Sequence, residues 1–586
     1  MCGIFGYLGY KKNPAKIVFQ GLKTLEYRGY DSWGIGFVNN GRLTVHKKVG
    51  KLPKDSLDLT SESIAVGHTR WATHGGVTQA NAHPHFDCTG KLALVHNGIV
   101  ENYQELKRKL LKTHKFTSTT DTEVIIHLIE EEAAKKPFAE AVRTAFKQLE
   151  GANAIVVLDS TSRTLVGAKT GSPLVLGIGK GEYFLASDSV AFLPYTKKAY
   201  FIPEGFLVSV RDSQVINFDI KNGKKTPLKP QKITWGQKAA ELSGFAHFML
   251  KEIFEQPKVL KNLLDDAKMI EKMAKIINSA FGTFIVGCGT ASYAALFAQY
   301  LFSTIAKKHV NFSIGSEFAY LEHYLTPASL VMAISQSGET MDVLESIQTA
   351  KSHKSKVMAI VNVEGSTLWR MVDFRVPLKA GPEVAVCATK SFIAMIGNVL
   401  LLAYATVRRI RLGRELILTA AEDIQKNILK QSQLNKVQKL AKKLKKSEHI
   451  YIIGRGLSYA AALEATLKIK ECTYIHSEGF AGGELKHGVI ALIEKGTPCI
   501  VFAPNDETKG ATLSNAAELK ARGGYIIGIA PENNEIFDYY FEVSDLGPAT
   551  IIPSVVYAQL LAYFLATEKG FDPDKPRNLA KSVTVK

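Results

Sequence analysis

Cys2 directly follows the initiator methionine, and a residue this small is commonly exposed by removal of Met1. A thiol (pKa ~8.5) beside its own α-amino group (pKa ~7.7–8.0) then supplies nucleophile and base in one residue, which suits attack on an amide through a thioester. Asn97 precedes Gly98, and an amide NH2 next to a glycine N–H offers two donors to an oxyanion, worth roughly 3–4 kcal/mol per donor. Arg70 carries a guanidinium that matches a carboxylate bidentately. Asp121 stands at the head of a helical pattern; taken singly, a surface ion pair and a helix N-cap are the commoner fates of these two. His74, His83 and His85 invite a metal, but no carboxylate or cysteine completes them at ligand spacing, and no metal centre is expected.

A second group lies far downstream. Ser335-Gln336-Ser337-Gly338-Glu339-Thr340 falls between an apolar strand pattern and a helical one. Short hydroxyl and glycine residues there present N–H and O–H donors to an anion, and the helix dipole adds a favourable field. Glu464, Lys468 and Glu471 fall on one helical face, either as an ion-pair ladder or as a carboxylate that moves protons beside a lysine. Lys581 belongs to the C-terminal tail, where a lysine is ordinarily solvated.

The elements that must position these residues divide the 586-residue chain. From Ile4 to about Phe218, short runs of strand character dominate (35–38, 92–96, 154–158, 165–168, 206–210), with helical patterns at 15–25, 102–111, 122–134 and 138–149. Residues 219–244 have few apolar anchors and read as a linker. Beyond them apolar strands, glycine turns and helices alternate, as in a parallel α/β sheet. That rhythm occurs twice: Gly287-Cys288-Gly289 with Ser292-Tyr293-Ala294-Ala295 is echoed by Gly454-Arg455-Gly456 with Ser458-Tyr459-Ala460-Ala461, and Glu339-Thr340 by Glu507-Thr508 at nearly the same offset. Two tandem copies of one α/β fold follow. Only the first keeps the hydroxyl cluster.

Composition excludes several classes. Hydrophobic residues make up 46% and charged residues 22%, which is globular rather than disordered. The net charge of +18 could serve nucleic acid or phosphorylated substrates. Its densest lysine run, between Lys436 and Lys446, is interleaved with Val437, Leu440 and Leu444 and reads as the solvated face of a helix. No nucleic-acid module and no signal segment is evident. The longest apolar stretch, Phe392–Val407, is broken by Gly397 and Asn398 and reads as a buried helix rather than a membrane span. Six widely spaced cysteines form no C-x-x-C pair and suit a reducing cytoplasm.

Met1-Cys2-Gly3-Ile4-Phe5-Gly6, Tyr27-Arg28-Gly29-Tyr30-Asp31-Ser32, His68 to Gly75 and His96 to Asn102, in this order, closely resemble the glutaminase domain of N-terminal-nucleophile amidotransferases. The resemblance implies an αββα fold, Cys2 as nucleophile, Asn97 and the Gly98 amide as oxyanion hole, and Arg70, Trp71, Thr73, His74 and Asp121 around glutamine, with Trp71 able to gate an ammonia tunnel. Trp33 stands where the family usually has alanine, so the packing there must differ.

The duplicated half resembles the sugar isomerase (SIS) domain pair, through Cys288-Gly289-Thr290, the Ser335–Thr340 hexapeptide, Glu464 to Glu471, Gly483 to Gly488 and the ending Pro576 to Val585. The whole is similar to the family of isomerizing glutamine–fructose-6-phosphate aminotransferases. That resemblance implies a glutaminase domain at 2–218, a linker at 219–244, SIS domains at 245–430 and 431–575, and a catalytic tail at 576–586. It places fructose 6-phosphate on Thr290, Ser335, Gln336, Ser337 and Thr340. Glu471 becomes the base between C1 and C2, with Lys468 nearby; His487 is the ring-opening residue, supplied by the partner of a homodimer, and Lys581 the Schiff-base amine. No cofactor, nucleic acid or membrane is implied. Ala291 and Ala388 replace usual serines, which removes two hydroxyl contacts to the sugar unless Ser292 supplies the first, and a one-residue shift along a helix turns a side chain elsewhere. A related deglycase or isomerase, and a sugar-phosphate sensor acting on nucleic acid, are the alternatives.

Overall fold

The computed structural model describes residues 2–11, 13–53, 55, 57, 59–72, 74–233 and 242–584. In the N-terminal half an eight-stranded sheet containing Gly3–Gly9 and Glu62–Arg70 packs on a seven-stranded sheet containing Leu92–Gly98 and Asn153–Asp159. Strand periodicity explains the layering. Ile4 and Leu8 meet Val95, Val156 and Leu165 between the sheets. Phe5 and Tyr7, on the opposite face, meet Val18, Phe19 and Leu22 of the helix Pro14–Leu25. On the far side, Leu94 and Val157 are covered by Val124, Ile125 and Leu128 of the helix Thr122–Ala133 and by Phe146 of Phe138–Phe146. The order of layers is helix, sheet, sheet, helix. Trp33 is buried against Phe19 and His46, so its indole fills the seam under the first helix.

Part of the stretch read as a linker is woven into these sheets: Lys225–Thr226 pairs with Gln214–Asp219, and Gln231–Lys232 with Lys198–Phe201. Two-residue strands carry no readable periodicity, which is why composition alone marked them as linker. Residues 234–241 of that stretch lie outside the described residues.

The C-terminal half holds two five-stranded parallel sheets of identical order. One runs Asn311–Ile314, Thr283–Gly287, Leu330–Ser335, Lys356–Val361, Phe374–Pro377; the other His476–Ala481, His449–Gly454, Pro498–Phe502, Tyr525–Ala530, Tyr539–Glu542. The repeated glycine turns superpose in conformation: Gly289 (φ 54°, ψ −132°) opens the helix Thr290–Thr304, and Gly456 (φ 55°, ψ −127°) opens Leu457–Thr473. Positive φ suits glycine and keeps both turns tight. The helices Lys390–Thr406 and Ile551–Glu568 are buried in the core joining the two copies. Gly547–Glu568, the one segment among the described residues long and apolar enough to cross a bilayer, is 94% buried within the protein. In the lysine-rich helix Gln431–Leu444, Val437, Leu440 and Leu444 face inward, as their spacing requires.

Candidate active sites

Cys2 sits at the start of the strand Gly3–Gly9, which is hydrogen-bonded to Glu62–Arg70. The register sets Gly3 opposite Thr69 and thereby brings the thiol to the loop that follows Arg70. The Trp71 amide donates to Cys2 Sγ (3.2 Å), and the thiol contacts the Trp71 carbonyl (3.4 Å). Burial pushes the Cys2 thiol up, opposed by the Trp71 amide and the Arg70 guanidinium. Asn97 Nδ2 donates to the Cys2 carbonyl at 2.9 Å. Gly98 has φ 139°, and a Cβ there would stand 2.2 Å from the Ala152 carbonyl, so glycine is required beside the amide donor.

The sequence did not single out His68. Its Nε2 lies 3.1 Å from Asn97 Oδ1 and 3.0 Å from the His96 carbonyl. Two acceptors assign the proton to Nε2, which fixes the Asn97 amide with its NH2 toward Cys2. Burial lowers the His68 pKa to about 3, keeping the ring neutral. His83 stacks on His68 with centroids 4.1 Å apart, and His85 meets His83 edge-on. These are packed core imidazoles rather than a ligand set.

Arg70 is buried, not a surface ion pair. It donates to the Gly75 and Gly76 carbonyls, both at 3.1 Å, and to His74, pinning the loop after Trp71. The titratable groups around it are Cys2, Asp121 and Asp31. Asp121 stands at the N-terminus of Thr122–Ala133 without a side-chain cap bond; its carboxylate instead accepts from the Val100 amide (2.8 Å). Asp31 accepts from the Ala72 amide at 2.8 Å. His74 meets Tyr103 edge-on. Thr73 and Met1 lie outside the described residues.

The second site is a cavity of about 140 Å³ lined by Thr290, Ser335, Gln336, Ser337, Thr340 and, facing them, Glu471 and Lys581. Thr290 and the hexapeptide belong to the first α/β copy at the carboxyl ends of two strands, where open parallel sheets bind ligands. Glu471 comes from the second copy on Leu457–Thr473. Lys468, fully buried one turn earlier, donates to Glu471 (2.6 Å) and to Thr290 Oγ1 (3.0 Å), and Glu464 lies 3.5 Å from its ammonium. Burial raises the Glu464 carboxyl to about 8, against the pull of Lys468. The ladder is therefore internal, joining the two copies.

Ala291 and Ala388 both line the cavity. Ser292 does not replace the first: its hydroxyl donates to the Gly289 carbonyl (2.7 Å), because one step along a helix turns the side chain elsewhere. His487 ends the short helix Gly482–His487, exposed and away from the cavity lining.

The tail is docked rather than solvated. Lys581 Nζ donates to Glu383 (2.7 Å) and to the Ala385 carbonyl (2.8 Å); Ser582 Oγ meets Ser337 Oγ, and the Met341 amide donates to Val583. Glu383, which sequence reasoning missed, also accepts from Thr389, Ser391 and the Ser391 hydroxyl. Burial would raise its pKa, but the Lys581 ammonium and these donors hold it at about 2. Its only sequence signal is an acidic residue in the apolar run Pro382 to Ala388. The tail also reaches the first half, where the Tyr30 hydroxyl donates to the Pro576 carbonyl (2.8 Å) and Lys575 pairs with Glu26. Val585 lies outside the described residues.

Comparison with known proteins agrees with both halves. Residues 68–194 match the model of the glutamine amidotransferase domain, and 276–405 and 443–566 that of the SIS domain. Over their full lengths, the chain is 43% identical to a Pyrococcus horikoshii protein and 40% identical to a Thermus thermophilus protein, both named glutamine–fructose-6-phosphate aminotransferase [isomerizing]. The C-terminal domain of glucosamine-fructose-6-phosphate aminotransferase from Francisella tularensis aligns with a TM-score of 0.52 and 31% identity, covering 57% of this chain and 99% of that one. The chain belongs to the family of isomerizing glutamine–fructose-6-phosphate aminotransferases.

Proposed function

We propose that this chain converts glutamine and fructose 6-phosphate to glutamate and glucosamine 6-phosphate. The observation that carries the reading is one tail that completes the Lys581–Glu471 cavity while its base is anchored on Tyr30 beside the Cys2 site. Once Met1 is removed, the Cys2 α-amine takes the thiol proton and the thiolate attacks the glutamine amide carbon. Asn97 and the Gly98 N–H receive the oxyanion. Ammonia leaves, water hydrolyses the thioester, and glutamate departs; Arg70 and Asp121 grip the carboxylate and ammonium of glutamine, with Trp71, Thr73 and His74 around it. In the second cavity Thr290, Ser335, Gln336, Ser337 and Thr340 hold the phosphate sugar. His487 of a partner subunit assists ring opening, which fits its exposure here. Lys581 leaves Glu383 to form a Schiff base at the C2 carbonyl, ammonia displaces the lysine, and Glu471, paired with Lys468, moves a proton from C1 to C2. Ammonia passes inside the protein beside Trp71.

The first domain runs from residue 2 through the strand Gln231–Lys232, past the 218 expected from the sequence, followed by 245–430, 431–575 and the tail 576–586, and the enzyme works as a cytoplasmic homodimer, a setting its unpaired cysteines suit. Incubation with amide-15N glutamine and fructose 6-phosphate, read by mass spectrometry, tests the scheme. Labelled glucosamine 6-phosphate, undiluted by added unlabelled ammonium, is expected. Labelled ammonia without an amino sugar would overturn the assigned acceptor.

A further inference from the structure

Outside both sites, four side chains from three segments converge on one point of the N-terminal half. Cys88 lies in the turn between the strands His85–Phe86 and Leu92–Gly98; His114 follows the helix Tyr103–Leu110; His127 and Glu130 sit three apart on Thr122–Ala133. Their ligand atoms all lie within 4.8 Å of one another. Cys88 Sγ is 3.5 Å from His114 Nδ1 and 3.8 Å from His127 Nδ1, while Glu130 Oε2 is 3.1 Å from the former and 3.0 Å from the latter.

Those separations are four of the six edges of a compact four-atom cluster. A Zn2+ ion with bonds of about 2.3 Å to sulfur and about 2.0–2.1 Å to nitrogen and oxygen needs S···N edges of roughly 3.6 Å and N···O edges of roughly 3.3 Å. A thiolate, two imidazoles and a carboxylate also form a donor set that zinc accepts and that magnesium or calcium does not favour. Behind the imidazoles, Glu131 lies 3.4 Å from His114 Nε2 and Glu123 lies 3.9 Å from His127 Nε2, ion-pair separations without a hydrogen bond at either nitrogen. Glu123 is fixed by the amides and hydroxyls of Thr117 and Ser118 at 2.7–2.8 Å. The side chains of His114 and His127 are 8% and 1% exposed.

We infer that Cys88, His114, His127 and Glu130 form a structural Zn2+ site. All four positions are filled by protein, which leaves no open coordination position and separates this site from a catalytic zinc. Its place in the fold gives it a task. The ion would tie the Cys88 turn and the segment after His114 to Thr122–Ala133, the helix whose first residue follows Asp121. The histidines whose numbering first suggests a metal, His74, His83 and His85, take no part.

The full chain, expressed with zinc in the medium and purified without chelator, is assayed for metal by mass spectrometry. About one zinc per chain is expected, and the Cys88→Ser and Glu130→Gln variants lose it while still hydrolysing glutamine. Chelation lowers Tm by several degrees in the parent, and Zn2+ but not Mg2+ restores it. In metal-stripped parent protein, Co2+ produces a thiolate-to-metal charge-transfer band that Cys88→Ser abolishes. The Co2+ titration uses the unaltered chain, so misfolding of a variant cannot decide the outcome. Metal-free protein with no charge-transfer band, or zinc retained in full by both variants, overturns the assignment.

Discussion

Replacing Glu383 by glutamine removes one charge and almost no volume at the point where the tail is held. The fall of this carboxyl from its ordinary 4.5 to about 2 corresponds to about 3 kcal/mol in favour of the charged form. Its side chain is fully buried and that of Lys581 is 7% exposed, so solvent screens little of it. Glutamine keeps an acceptor for the Thr389 and Ser391 amides, which leaves about 2 kcal/mol for the lost charge-assisted bond to Lys581. Docking of residues 581–583 should therefore weaken about thirtyfold. Pro576 remains tied to Tyr30 and Lys575 to Glu26, so basal glutamine hydrolysis should be unchanged while amino-sugar formation falls by a similar factor. Hydrogen exchange provides an independent readout, because the Met341 amide donates to Val583 only while the tail is docked. The sign with pH is fixed as well. A depressed carboxylate pKa stabilises the fold above pH ~4.5, and that contribution is lost as pH falls toward ~2, a loss the variant should not show. Undiminished amino-sugar formation together with unchanged Met341 exchange would refute the reasoning.

Cys2→Ala should abolish the glutamine-driven reaction yet still make glucosamine 6-phosphate from concentrated ammonium at alkaline pH, measured by product mass spectrometry. Glu464→Gln, close in shape to the neutral acid that burial favours, should retain most turnover. Glu471→Gln should lose about 10²–10⁴-fold, as removal of a proton-transfer group does; equal losses in steady-state rates would place Glu464 among the groups that must ionise. Ala388→Ser adds a hydroxyl to the cavity wall and should lower KM for fructose 6-phosphate by up to about tenfold, one hydrogen bond's worth, with kcat little altered. His487→Ala and Lys581→Ala chains should each be inactive alone, but co-expressed mixed dimers should regain activity at one of two sites; no recovery would place His487 in its own subunit's site.

The features legible in the sequence are those written in contiguous residues. Cys2, Ser32, Arg70 and Gly98, one from each of the four motif segments, stand at the ends of strands, and the repeated glycine turns adopt the same angles in both copies. The apolar run at Phe392 is a buried helix because every face of it meets core. What escaped reading depends on long-range contact. Glu383 meets Lys581 across nearly two hundred residues, and no local pattern distinguishes a carboxylate that will hold an ammonium from one that will face water. Cys88, His114, His127 and Glu130 escaped for the same reason, since only the fold brings a turn, a helix end and a helix face together. At Ser292 the one-residue shift in helix phase is legible in the sequence, and the hydroxyl accordingly turns to the Gly289 carbonyl.

One tail serves both halves, and the strength of its anchors bounds how strongly the sites can communicate. Between the Tyr30–Pro576 bond and the Lys581–Glu383 pair, Leu579 and Ala580 form part of the cavity wall. Tyr30 adjoins Asp31, which accepts from the Ala72 amide and whose own amide donates to the Arg70 carbonyl. A ligand that stiffens the wall therefore acts on a strap anchored at Tyr30, the residue next to the Asp31 contact to Arg70. The transmitted free energy cannot exceed that of the weaker clip, the neutral Tyr30–Pro576 hydrogen bond at about 1 kcal/mol, the lower end of the 1–3 kcal/mol typical of coupled sites. Because binding free energies are reciprocal, whatever factor the sugar gains from a bound glutamine, glutamine must gain from the sugar. Coupling of that size would need only docking and release of residues 576–583, without a rearrangement of the domains.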